Sequence, residues 1–235
     1  MCKRLKEIML SDKMITVIIT LITVIISSFV TVWGIHINAE LNSRNEDKKL
    51  EIENWRKDCK KKIDFFSKAD TELNNMLFST DDSAVFRGDT GGVSSRSPEM
   101  ILFVSNVRKY CDNTDIIKTI ERIMAYKIIS MKQQFNISSS AVIGAIINFS
   151  IGGIAPSGHV KNKLEILFQQ SKDVIEECMA SEQLYLKAQL LQAIKDINNV
   201  KESNPGKKIH YTPVSEPETN ATLTMLKHTW SDIQK

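Results

Sequence analysis

From residue 14 to residue 37 the chain runs for 24 consecutive positions without a charge. As a helix, this stretch would rise roughly 36 Å at about 1.5 Å per residue, which exceeds the roughly 30 Å hydrocarbon core of a bilayer. The interspersed Thr16, Thr20, Thr23, Ser27 and Thr31 do not oppose that reading, because a helical hydroxyl bonds back to a carbonyl of the preceding turn. The pattern predicts a transmembrane helix anchored by Ile18, Ile22, Ile25, Phe29 and Trp33, with Trp33 and His36 near the headgroups. A cleaved secretory signal is the competing reading, and the basic start Lys3, Arg4 and Lys6 would suit one. Its apolar run would be shorter and end in a small-x-small site, where this chain has Trp33-Gly34-Ile35-His36-Ile37.

Beyond residue 37 the period changes to that of an amphipathic helix over 38–78. Ile52, Cys59, Phe66 and Leu73 recur seven apart, Trp55, Ala69 and Met76 lie three further on, and Lys62 interrupts the second series. The face made by Ile52, Trp55, Cys59, Phe66 and Leu73 is expected to meet another helix. That helix belongs either to a second copy, in a coiled-coil stalk, or to the chain's own domain, and a lysine within only about four heptads favours the second. A serine- and glycine-rich stretch then predicts a loop over 79–99, unusually long for a compact domain.

Residues 100–110 form a short apolar segment, and a helix is expected over 115–135, capped by Asn113-Thr114 and buried along Ile116, Ile120, Ile123, Met124, Met131 and Phe135, with Lys127 the exception. After the start signal Ser138 to Ser140, residues 141–155 form a second uncharged segment. At roughly 22 Å it is too short to cross a bilayer. It predicts a helix buried on every side, with Gly144 allowing close approach. The alternative is a membrane-inserting element acting through Val142, Ile143, Ile146, Ile147 and Phe149. One long helix follows over 161–201, stopped by Asn204-Pro205-Gly206. An extended connector then leads to a last helix over 219–234, capped by Thr219 or Asn220 and docked through Leu223, Leu226 and Trp230. The expected fold is all-α: a basic segment 1–13, a transmembrane helix 14–37, a stalk 38–78, a loop 79–99, a helical-bundle domain 100–204, and a connector with C-terminal helix 205–235.

Composition agrees with helices, since the 235 residues include only 9 Gly and 5 Pro. A net charge of +3 from 31 basic and 28 acidic residues is close to balance, which argues against a nucleic-acid surface. Cys59, Cys111 and Cys178 form an odd, widely spaced set with Cys2 before the span, a pattern of reduced thiols. The charges Lys3, Arg4, Lys6 and Lys13 before the span favour a cytoplasmic N-terminus. The lysines from Lys48 to Lys62 and the free thiols pull the other way, so the side of the soluble domain stays open.

No constellation of catalytic residues stands out. His36, His159, His210 and His228 make no H-x-x-x-H pair, and there is no G-x-S-x-G, G-x-G-x-x-G or Walker sequence. The expectation is therefore no catalytic residue, no cofactor and no metal, with a clustering of His159, His210 and acidic side chains as the one arrangement that would revive an enzyme. Over about residues 1–78 the layout is similar to that of small bacterial or prophage membrane proteins, without a shared motif. That resemblance implies a bacterial inner membrane and a use in envelope-associated defence or phage exclusion. The expected function is a single-pass membrane-anchored scaffold that contacts lipid and binds a protein partner or a second copy. A membrane-perturbing effector using 141–155 is the alternative.

Overall fold

The computed structural model describes residues 2–78, 98–151, 154, 157–203 and 205–234; side chains at 2–13, 15, 78, 98–100, 148 and 149 fall outside that description. Seven helices and no strand occur among the described residues, so the protein is all-α. They are α1 (Cys2–Phe78), α2 (Pro98–Tyr110), α3 (Thr114–Phe135), α4 (Ser139–Phe149), α5 (Gly158–Phe168), α6 (Lys172–Ser203) and α7 (Ala221–Ile233). The expected loop lies outside the described residues except at its end. There Pro98 opens α2, a position that suits proline because the first-turn N–H has no helical partner. The chain forms two compact units, 1–54 and 55–235.

The first unit is the leading part of α1. Every large apolar side chain from Val17 to Ile37 is exposed, Phe29 at 65% and Trp33 at 60%. The hydroxyls of Thr20, Thr23 and Thr31 donate to the carbonyls of Thr16, Ile19 and Ser27, each at 2.8 Å, so their polarity is satisfied within the helix. Among the described residues this is one helix long and apolar enough to cross a membrane. Ile52, the first position of the predicted partner face, sits in this unit and is partly exposed.

The second unit is organised on α3, which packs against α6 on one side and α4 on another, while α7 lies on α5 and α6. Ile116, Ile120, Ile123, Met124 and Met131 are buried along α3 as a three-and-four stripe, whereas Phe135 at its end is exposed. Asparagine and serine set the helix starts. Asn113, Ser138, Ser157 and Asn220 each accept a backbone N–H from the first turn of α3, α4, α5 and α7, and Asn136 ends α3 in the left-handed region at φ 51°.

The end of α1 belongs to this unit. Cys59, Phe66, Ala69, Leu73 and Leu77 are buried in its core and Trp55 packs on it half-buried, so the stripe from residue 55 onward is covered by the chain's own helices. Phe65 stacks against Tyr110 with ring centroids 5.9 Å apart, and Gln183 of α6 donates to the Asn74 amide oxygen at 2.8 Å.

Two expectations about the helical unit change. The helix expected over 161–201 is broken into α5 and α6, although Gln169-Gln170-Ser171 contains neither Gly nor Pro. Gln133 of α3 donates to the Gln170 carbonyl, and the Ser171 hydroxyl accepts the Val174 N–H at 3.4 Å, so the groups freed by the break find partners. Gly144 does not mark a close approach either, since a Cβ built there would meet nothing within 4 Å.

Candidate functional site

The first turn of α3, one face of α6 and the connector after α6 enclose a cavity of about 460 Å³. Asn113 is extended, and its side-chain oxygen accepts the N–H groups of Asp115 at 2.9 Å and Ile116 at 3.3 Å, which fixes where α3 begins. Asp115 is exposed on that first turn, where a carboxylate is favoured by the helix dipole. Its backbone N–H and carbonyl are bonded to Asn113 and the Thr119 hydroxyl, while its carboxylate has no hydrogen-bond or ion-pair partner among the described residues.

On α6, Tyr185, Gln189, Ala193 and Asp196 follow four-four-three spacing and therefore share one face. The first three line the cavity. Opposite them, the chain turns at Gly206, with φ 86°, a conformation glycine adopts without strain, and returns as an extended strap over 208–214. Side chains hold this strap. Asp196 accepts the Thr212 N–H at 2.6 Å and its hydroxyl at 3.1 Å, Tyr185 donates to the Val214 carbonyl at 3.2 Å, and Ile209 is buried. Tyr211 of the strap donates its hydroxyl to Asp112, which also accepts from Lys62 at 2.8 Å.

The electrostatics of the walls follow from these partners. Burial opposes ionisation of Asp112, but the hydrogen bonds from Lys62 and Tyr211 outweigh it and hold the carboxyl below its ordinary range. Burial pushes the Tyr211 phenol up, and its bond to Asp112 adds to the effect. Tyr185 is raised by burial and then by the carboxylates Glu216 and Asp115, partly offset by Arg122. Gln189 reaches the Tyr185 hydroxyl, is only 6% exposed, and keeps its Oε1 without a hydrogen-bond partner.

A second polar cluster lies where α3, α6 and α7 meet. Arg122 donates to Glu182 at 2.8 Å and to the Thr119 hydroxyl at 3.1 Å, and Lys227 stands 4.0 Å from the other Glu182 oxygen. The Glu182 side chain is 1% exposed and the two cations 12% each. The Tyr126 hydroxyl faces the Cys178 thiol, and its ring meets Trp230 edge-on at 5.8 Å.

Neither cluster holds an activated nucleophile. Burial raises the Cys59 thiol and lifts those of Cys111 and Cys178 to about 12 and about 11, which keeps them protonated at neutral pH. His210 lines the cavity, but no group of three His, Cys, Asp or Glu among the described residues is placed to hold a metal.

The residues singled out from the sequence fall into three places. Ile18, Ile22, Ile25, Phe29 and Trp33 are exposed on the first unit, and Cys59, Phe66 and Leu73 are in the core of the second, with Trp55 packed against it. Val142, Ile143 and Ile146 are buried in that core and Ile147 packs on it, while the Phe149 side chain lies outside the described residues. Insertion of 141–155 into a bilayer would first have to draw these side chains out of the core. The cavity residues Asp115, Tyr185, Gln189 and Tyr211 were not anticipated. The face on α6 is visible as a spacing, but its pairing with a strap about twenty residues downstream leaves no periodic signal. Compared with known protein families, curated proteins and solved structures, the chain gives no significant match.

Proposed function

We propose that the chain is a single-pass, membrane-anchored helical module that binds a protein partner at the surface of a cell membrane and carries no chemistry of its own. The observation that carries this reading is the first unit, where 24 uncharged residues in succession expose all their large apolar side chains from Val17 to Ile37. Leaving such a side chain in water rather than burying it costs about 1.5–3 kcal/mol, so a run of this length is stable only with an apolar medium around it. The helical unit supports the binding role, since it has a core of its own, an open cavity and buried thiols held protonated.

The anchor is tested with the full chain carrying a C-terminal tag, expressed in bacterial cells. It should stay in the membrane pellet through an alkaline carbonate wash and be released by detergent. Replacing Ile22 and Ile25 together by lysine should move it to the supernatant, because each charge at the centre of a span costs about 2.5–3.5 kcal/mol on insertion scales. Recovery of the unmodified chain in the carbonate supernatant would overturn the anchor. Crosslinking from intact membranes then identifies the partner, and a chain that crosslinks to nothing would overturn the binding role.

A further inference from the structure

We infer that the exposed face of α6 centred on Leu184 and Leu191 is a docking surface for a second copy of this chain, paired antiparallel through the same face. The inference rests on reading the helical unit as a protein-binding module and names its partner.

Glu177, Ser181, Leu184, Ala188, Leu191 and Lys195 recur along α6 at four-three-four-three-four spacing, the seam of a two-helix coiled coil. The seam lies opposite Ile175, Leu186 and Ile197, which are buried in the core. All six of its residues are at least partly exposed. Leu184 at 68% and Leu191 at 54% stand out, the first more exposed than Phe29 or Trp33 of the uncharged stretch. Glu177 and Lys195 have no hydrogen-bond or ion-pair partner among the described residues.

The order of residues along the seam identifies its occupant. Turned end for end about a two-fold axis at the level of Leu186, the stripe meets a copy of itself with Glu177 opposite Lys195, Ser181 opposite Leu191 and Leu184 opposite Ala188, each pairing occurring twice. A large side chain then faces a small one in every apolar layer, which lets the helices approach closely, and opposite charges close both ends. A parallel pair would instead set Glu177 against Glu177 and Lys195 against Lys195. Sliding the antiparallel pair by seven residues would put Glu177 against Glu202 and Leu184 against Lys195. One register therefore satisfies both shape and charge. Lys187, exposed at the edge of the seam beside the axis, faces its own counterpart, and this like-charge contact weakens the pair. Two leucines from each copy make a modest contact, so its strength depends on local concentration, which anchoring in one membrane would raise.

The test uses the full chain in detergent micelles, prepared as two populations with donor and acceptor fluorophores on C-terminal tags. Energy transfer is read as the ratio of chain to detergent is varied. The unmodified chain should pair saturably. Glu177→Lys and Lys195→Glu should each weaken pairing about ten-fold, because either change sets like charges together at both ends of the seam. The chain carrying both should return to within about two-fold of the original, because the ion pairs re-form with their signs exchanged. That recovery is specific to a second copy, since a different partner would meet two reversed charges. Leu184→Asn should weaken pairing about ten-fold or more, and Lys187→Gln should strengthen it about two-fold. All these positions are exposed, so unchanged helicity by circular dichroism separates docking from folding. Absent transfer, transfer that no substitution alters, or a double variant no tighter than the single ones overturns the α6 face. If transfer is absent while crosslinking from membranes captures a different protein, the pairing falls and the binding-module reading stands; if neither is seen, both fall.

Discussion

Glu182 is a buried charge at the junction of α3, α6 and α7. Its side chain is almost wholly buried and lies between Arg122 at 2.8 Å and Lys227 at 4.0 Å. Removing one member of a buried charge cluster leaves the others uncompensated, which typically costs about 3–5 kcal/mol. Glu182→Ala is therefore expected to lower the stability of the full chain by about that amount in denaturant titrations followed by circular dichroism. A loss under about 1 kcal/mol would mean that water already screens the site. Gly144 offers a prediction of the opposite sign. It is helical, a Cβ there would meet nothing within 4 Å, and Ala is about 0.5–1 kcal/mol better than Gly inside a helix. Gly144→Ala should raise the denaturant midpoint, and destabilisation would show that the helix needs that position bare. The buried stripe of α3 was legible at this scale as spacing. Glu182 was not, because a glutamate in a sequence reads as solvated surface until its partners from two other helices are known.

At the scale of elements, the strap depends on few contacts. It has one buried apolar side chain, Ile209, sets the Tyr211 ring edge-on to Phe66 at 6.4 Å, and is otherwise held by Asp196, Tyr185 and Asp112 through side-chain hydrogen bonds. Asp196→Ala removes two acceptors from Thr212 while leaving α6 a good helix former at that position. Amide exchange at 208–214 should then accelerate at least about ten-fold while the α3 core stays protected. Equal acceleration throughout would show that the strap unfolds only with the whole unit. The break between α5 and α6 belongs to the same scale. No Gly or Pro marks it; Ser171 accepts a first-turn N–H of α6, and Gln133, 37 residues earlier, donates to the freed Gln170 carbonyl. The continuation of α1 past residue 54 is similar: its heptad spacing is plain in the sequence, but which helices cover it is a long-range matter.

For the molecule as a whole, pH dependence follows from the buried groups. Cys111 and Cys178 have folded-state values of about 12 and about 11, raised mainly by burial from the ordinary 9.0. Because the folded state holds these protons more tightly, stability is full below about pH 9 and falls between there and about pH 11–12, as the unfolded chain ionises and the folded one does not. Asp112 has the reverse sign: its lowered value contributes stability above the ordinary carboxyl range near 4, lost as pH falls through the folded value. That share is small because the side chain is 53% exposed. The unfolding midpoint should thus decline steadily above pH 9, and Cys111→Ser with Cys178→Ala should flatten that decline. The same burial predicts that Cys59, Cys111 and Cys178 resist thiol reagents at pH 7 until denaturant is added.

The sequence by itself determined the properties that depend on neighbours close along the chain. The uncharged stretch 14–37, the helical periods, the capping Asn113, Ser138 and Asn220, and the turn at Gly206 are local, because helix hydrogen bonds and amphipathic spacing are set within a few residues. Tertiary structure decided which polar residues would be buried and what they would face. Gln189, Asp196 and Glu182 look alike as surface residues of α6 until the strap, α3 and α7 close over them. A side chain's polarity is written in its chemistry, whereas its desolvation is a property of the elements packed around it.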